Sequence, residues 1–234
     1  MDRLQDASRD RINVRKLINL TKKEKYFLKN AIYCNDCRTK VYNYYGEAEN
    51  VQLYLNNNLI GENDSKFIKI LIKIINKVGK YYPAKTHIWL SVRAKNQYIW
   101  KNARWHWDGN YYGHNNNNGH NNNNEIHSKF IATLCGPQTF GINATRADKQ
   151  FYKTLREQKF AGSITEEEFL QKLADQFNPK KININYSIIK VGRNNNSDEC
   201  RQIHSEPINT APNTRRVFIS ILYGTEEDIL SMVK

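Results

Sequence analysis

Cysteine, proline, methionine and long apolar runs are all scarce in this sequence. Four cysteines in 234 residues are too few for a disulfide-stapled scaffold, and they read as reduced thiols of an intracellular chain. Cys34-Asn-Asp-Cys37 has the spacing of half a zinc site or of a redox pair. No second CxxC accompanies it, so a zinc ribbon is unsupported and plain thiols are the expectation. No apolar run approaches the length of a membrane span. The opening Met1-Asp2-Arg3-Leu4 is charged and lacks the apolar stretch of a signal peptide. An intracellular, cytoplasmic protein with no membrane partner is expected.

Acidic residues are also in short supply. Lys and Arg number 36 against 23 Asp and Glu, a formal charge of +13. Such an excess fits a nucleic-acid or other anionic partner. It also fits codon bias, because the chain is rich in Lys, Asn, Ile and Tyr, whose codons are rich in A and T. No Arg-rich cluster or nucleic-acid motif decides between the two. With 39% hydrophobic residues, the length suffices for one sizeable core. The expected organisation is a single domain, 1–234. Residues 1–83 form an N-terminal helical support region, and residues 84–234 form the core.

Along the chain, Thr21 to Asn30 reads as a helix. Val41 to Tyr45 and Val51 to Leu55 read as strands, with Asn56-Asn57-Asn58 as a turn. The strongest helix signal follows. Phe67, Ile70, Leu71, Ile74, Ile75 and Val78 recur at steps of three and four. Ser65 stands where a cap belongs, and Gly79 where a left-handed C-terminal residue belongs. Strand character begins at Thr86 to Arg93, continues through Tyr98 to Trp100 and Arg104 to Asp108, and returns at Lys129 to Leu134. Between the last two lies an Asn-rich loop, 113–124, with nothing to bury. His114, His120 and His127 in or near it read as solvated. A helical insertion, 147–178, includes the capping box Thr165 to Glu168. Strands are again expected at Ile182 to Val191 and Val217 to Tyr223, and a terminal helix from Thr225 to Val233.

Chemistry concentrates in Trp105-His106-Trp107-Asp108-Gly109. In an extended segment, positions i and i+2 point to one side, so His106 and Asp108 can reach one ion while Trp105 and Trp107 face away. Far downstream, Ile203-His204-Ser205-Glu206-Pro207 offers a second histidine. Two histidines and one carboxylate are the ligand set of a non-haem Fe(II) centre with open positions. Trp107, Tyr111 and Tyr112 beside the pair are candidates for a substrate entrance or for packing.

His-x-Asp, a distal His and a basic residue about ten positions later resemble the Fe(II)/2-oxoglutarate-dependent dioxygenase superfamily. The basic residue is Arg215 or Arg216, 11 or 12 positions after His204. Gly136-Pro137-Gln138-Thr139-Phe140 is similar to the Gly-Gly-x-Thr-x-Phe turn of prolyl-hydroxylase-like members, with Pro for the second Gly and Phe one place early. The resemblance spans roughly residues 86 to 224. It implies an α+β, mainly β fold: a double-stranded β-helix, or jelly roll, buttressed by N-terminal and inserted helices. It implies Fe(II) on His106, Asp108 and His204, and 2-oxoglutarate reaching Arg216 or Arg215. Arg216 is favoured because it shares a strand face with Ser220. It also implies an oxygenase that hydroxylates or demethylates a substrate the sequence does not identify. Two alternatives stand beside it. One is a catalytically silent jelly roll that binds a metal or ligand or serves as an interaction module. The other is a nucleic-acid dealkylase of the same superfamily.

Overall fold

In a computed structural model, described residues are 14–15, 20–30, 40–59, 64–95, 103–108, 129–142, 144–177, 180–181, 188–191, 203–206 and 216–233. In chain order the elements are β1 (Val14–Arg15), α1 (Lys22–Asn30), β2 (Lys40–Glu47), α2 (Val51–Asn58), α3 (Asp64–Gly79), β3 (His87–Lys95) and β4 (Arg104–His106). They continue with β5 (Lys129–Cys135), β6 (Phe140–Gly141), α4 (Arg146–Phe160), α5 (Glu166–Gln176), β7 (Lys180–Lys181), β8 (Ile188–Val191), β9 (His204–Glu206), β10 (Arg216–Gly224) and α6 (Glu226–Leu230). The strands make two sheets, β1-β8-β5-β10-β3-β2 and β4-β9-β6-β7. All pairings are antiparallel. The fold is thus mixed α and β with two antiparallel sheets, and the described strands do not close into a barrel. Among the described residues, no helix is long and apolar enough to cross a membrane.

Alternation along the central strands explains the layering. In β3, Ile88, Leu90, Val92 and Ala94 point one way. In β10, Val217, Ile219, Ile221 and Tyr223 do the same. Both sets join the core formed with α1, α2 and α3. The α3 stripe read from the sequence is buried throughout: Phe67, Ile70, Leu71, Ile74, Ile75 and Val78 are each at most 4% exposed. Lys66, Lys69, Lys73 and Lys77 stay in solvent, and Lys73 reaches Glu24 of α1 at 2.7 Å. The opposite faces of β3 and β10 carry Trp89, Ser91 and Arg93, and Arg216, Phe218 and Ser220. These line a cavity shared with the four-stranded sheet. The far side of that second sheet presents Trp105 and Trp107 to Tyr152, Leu155, Phe169 and Leu173 of α4 and α5. The order of layers is helices, sheet, cavity, sheet, helices.

Several local expectations need correction. Val51 to Leu55 is helical, in α2, not a strand. Val51 and Leu55, four residues apart, are both buried on the α3 side, so the helical period wins over β propensity. Ser65 lies one residue inside α3 and does not precede it. Helical insertion 147–178 is two helices. Each opens with a capping box, Thr145 with Asp148 and Thr165 with Glu168. Gly162, at φ 72°, turns the chain between them. The terminal helix is capped by Thr225 as expected but ends at Leu230. Tyr98 to Trp100, residues 182–187, the Asn-rich loop with its three histidines, Cys34, Cys37 and Cys200 lie outside the described residues.

Gly79 ends α3 without the left-handed conformation expected of it, since the positive-φ glycines are Gly136 and Gly162. Its role is spatial. A Cβ there would meet the Tyr223 hydroxyl oxygen at 2.8 Å and the carbon bearing it at 3.1 Å. That hydroxyl donates to the Ile75 carbonyl at 3.0 Å, and burial pushes its pKa up to about 12, which keeps the donor in place. Gly79→Ala should therefore cost about 1–3 kcal/mol by overpacking, measured by urea unfolding. In a Tyr223→Phe background the cost should shrink, because the colliding oxygen is gone. An equal cost in both backgrounds would refute this account.

Candidate metal centre

β4 and β9 are three residues each, and their register sets Arg104 opposite Glu206, Trp105 opposite Ser205 and His106 opposite His204. Directly opposed residues project to the same side of a sheet. The two imidazole centroids accordingly lie 4.3 Å apart. Arg104 and Glu206, at the other end, form a 3.2 Å ion pair that helps hold the short ladder. Asp108 follows β4 by two residues, and the alternation carries its carboxylate to the same side. One donor atom from each of His106, Asp108 and His204 lies within 4.8 Å of the others, near enough for one ion to draw them together by side-chain rotation. Asp108 Oδ2 is 3.5 Å from His204 Nε2.

The surroundings test whether these residues suit a metal. His106 Nδ1 lies 2.8 Å from the Arg104 carbonyl oxygen. As donor there, it leaves Nε2 with its lone pair free, the second-sphere arrangement typical of histidine ligands. Asp108 is partly buried, and its Oδ2, which is shielded from solvent, accepts no hydrogen bond of good geometry. A cation nonetheless stands close by, because Lys129 Nζ is 2.8 Å from that oxygen. The attraction is coulombic and needs no alignment, so the contact is an ion pair despite its poor hydrogen-bond angle. A carboxylate oxygen that faces two imidazoles fits a divalent cation.

Electrostatics agree. Burial would raise the Asp108 carboxyl, but the positive charge of His204 and of Lys129 overcomes it and holds the group far below the usual carboxylate range. Burial depresses the Lys129 ammonium, and the Asp108 carboxylate opposes that effect. Arg216 enters from β10, where a register shift between Val217 and Phe218 interrupts the pairing with β5 and re-aims the strand start. Its Nε donates to the Pro137 carbonyl at 3.0 Å and its Nη2 to Thr139 Oγ1 at 3.0 Å. Its guanidinium also lies over the Phe218 ring at 4.7 Å. The turn that anchors it is the Gly136 to Phe140 segment, with Gly136 at φ 87°. Burial lowers the Arg216 guanidinium to about 10, so it stays charged at neutral pH.

All of these groups face one cavity of about 190 Å³ between the sheets. The structure brings His106, Asp108, His204 and Arg216 together there. Trp107 does not line it. Sharing the side of Trp105, it packs at 4.5 Å between ring centroids on Tyr152 and is 7% exposed. Its ring is thus placed in the apolar cluster under α4 and α5. Arg215, Tyr111 and Tyr112 lie outside the described residues. Sequence reasoning missed Lys129 and Arg93 as cavity residues. The available signal was a lysine heading the apolar run Phe130 to Leu134, and a polar alternate face on a strand that continues one of the two core faces. Comparison with protein-family models, curated proteins and solved structures returns no match.

A pH dependence follows for the metal-free protein. The folded Asp108 carboxyl titrates below its unfolded value of roughly 4. Its ionised form thus stabilises the fold fully above that value, and the contribution is lost progressively as pH falls from there toward the lower folded value. Urea midpoints should decline between about pH 5 and pH 2.5, and Asp108→Asn should flatten the decline. A slope unchanged by the substitution would show that Asp108 is not the group responsible.

Proposed function

We propose that this chain is an Fe(II)- and 2-oxoglutarate-dependent oxygenase acting on a substrate other than its cosubstrate. The carrying observation is the convergence of His106, Asp108 and His204 in the cavity that Arg216 also faces. Two histidines and a carboxylate occupy one side of an ion and leave the other for exogenous ligands, unlike a closed structural zinc site. The path of the chain supports a double-stranded β-helix. From β3 to β10 it changes sheet at every strand except from β6 to β7: β3, β5, β8 and β10 lie in one, and β4, β6, β7 and β9 in the other.

Each residue then has a task. His106, Asp108 and His204 would hold the ion. Arg216, its fork turned by Pro137 and Thr139, would take the far carboxylate of 2-oxoglutarate with the N–H groups that those two do not occupy. Thr139 Oγ1 stands beside that fork and can donate its own proton to the same carboxylate. Trp89 and Phe218 line the cavity between them and limit water access. Iron, when bound, supplies oxygen activation: one atom of O₂ goes to succinate as 2-oxoglutarate loses CO₂, and the other goes to the substrate.

Arg216→Ala should weaken 2-oxoglutarate binding about a hundredfold and leave Mn(II) affinity nearly intact, measured by calorimetry with Mn(II) in place of Fe(II). Arg216→Lys should recover part of the loss, because an ammonium lacks the two-pronged contact. His204→Ala should abolish metal binding first. Succinate release from Fe(II) and 2-oxoglutarate by the parent protein completes the test. Failure of the parent to bind 2-oxoglutarate would sink the assignment. Binding without turnover would favour a silent ligand-binding jelly roll.

A further inference from the structure

The cavity holds more positive charge than an iron centre and its cosubstrate use. Three fixed cations face it, Arg93, Lys129 and Arg216, against the carboxylates Asp108 and Glu206. Lys129 is paired with Asp108 at 2.8 Å, and Glu206 with Arg104 at 3.2 Å. On the oxygenase reading, on which this inference rests, a divalent metal and the dianion of 2-oxoglutarate cancel in net charge, and the guanidinium groups of Arg216 and Arg93 remain in excess. The far carboxylate of 2-oxoglutarate meets Arg216, which leaves Arg93 without an anion. Its bond is from Nε to the Ser91 hydroxyl at 3.3 Å, and among the described residues no carboxylate pairs with it.

Its position is unfavourable unless something compensates. Arg93 stands directly opposite Phe218 in the β3–β10 register. It is therefore a diagonal neighbour of Arg216 on the same face, about 7–8 Å away at the backbone. Its charge disfavours the protonated forms of both Lys129 and Arg216. Two guanidinium groups and an ammonium around one cavity repel each other, and a counter-charge lowers that cost. Chloride or bulk solvent can relieve it in the free protein. A planar fork whose terminal N–H groups meet no acceptor among the described residues suits an oxyanion.

We propose that Arg93 is the specificity determinant for the substrate, and that it binds an anionic group, a carboxylate or a phosphate, carried by the molecule that is oxidised. The substrate enters with that group on Arg93, beside Ser91, and presents its reacting carbon toward the His106, Asp108 and His204 end. Arg93 touches the substrate and neither the metal nor 2-oxoglutarate. The three cations thus divide the work: Lys129 supports Asp108, Arg216 holds the cosubstrate, and Arg93 selects the substrate by charge.

Inorganic phosphate serves as the probe, on the protein loaded with Mn(II) and saturating 2-oxoglutarate. Phosphorus relaxation is read, because the manganese accelerates it only for phosphate held near the metal. The parent should show a saturable enhancement with 2-oxoglutarate bound. Arg93→Gln should weaken phosphate binding about tenfold or more, Arg93→Lys should restore part of it, and both should keep parental 2-oxoglutarate affinity. Displacement of phosphate by acetate assigns the site to a carboxylate, and its absence assigns it to a phosphate. An enhancement unchanged in Arg93→Gln, or abolished in the parent by 2-oxoglutarate, overturns the proposal. So does a large loss of 2-oxoglutarate affinity in Arg93→Gln, which would make Arg93 a second cosubstrate residue. A parent that binds Mn(II) but not 2-oxoglutarate overturns the oxygenase reading itself, and this inference with it.

Discussion

The register of β4 on β9 is the constraint on which the site depends. Three cross-strand pairs fix it, and the last of them sets His106 against His204. Side chains alternate with a period of two, so a slip of one residue would send one histidine to the Trp105 side and the other to the cavity. The ladder is too short to resist a slip by its own hydrogen bonds. Packing protects it: Trp105 and Ile203 are buried against α4 and α5, and Trp105 meets Phe177 edge-on at 5.5 Å between centroids. The Arg104–Glu206 pair closes the outer end. The helical insertion is therefore part of the site's construction, although none of its residues lines the cavity.

The six-stranded sheet solves a different problem. β3 and β10 are covered on both faces, which usually calls for continuous apolar runs. Here one face is aliphatic and sealed by helices, while the other carries serine, arginine and aromatic side chains into an internal space. Polar atoms on an inward face are tolerated only when they find partners. Arg216 finds Pro137 and Thr139, Arg93 finds Ser91, and Lys129 finds Asp108. Thr133 Oγ1 is buried without one.

How much of this could be read from the chain alone depended on distance in sequence. The common side of His106 and Asp108 and the α3 stripe follow from periods of two and 3.6, and both are legible, whereas Arg216 was preferred to Arg215 through the resemblance. His204 was legible only through resemblance, because nothing local says which histidine sits across from His106. Val51 to Leu55 was misread because a short run containing Val, Leu and Tyr satisfies strand propensity as well as a helical step of four, and only α3 decides between them. Arg93 was hidden for a subtler reason. A strand alternating apolar and polar reads as half-solvated, and the sequence does not reveal that a second sheet stands where water was expected. Gly79 was noticed for its conformational freedom and turned out to matter for its lack of a side chain beside Tyr223.

The Lys129–Asp108 pair also bears on how the layers hold together. Lys129 belongs to β5 of the six-stranded sheet and Asp108 follows β4 of the other, so their 2.8 Å ion pair spans the gap between the sheets. The carboxylate that faces the two imidazoles is therefore a tie between layers as well. A change at Asp108 is felt by the architecture and by the site together.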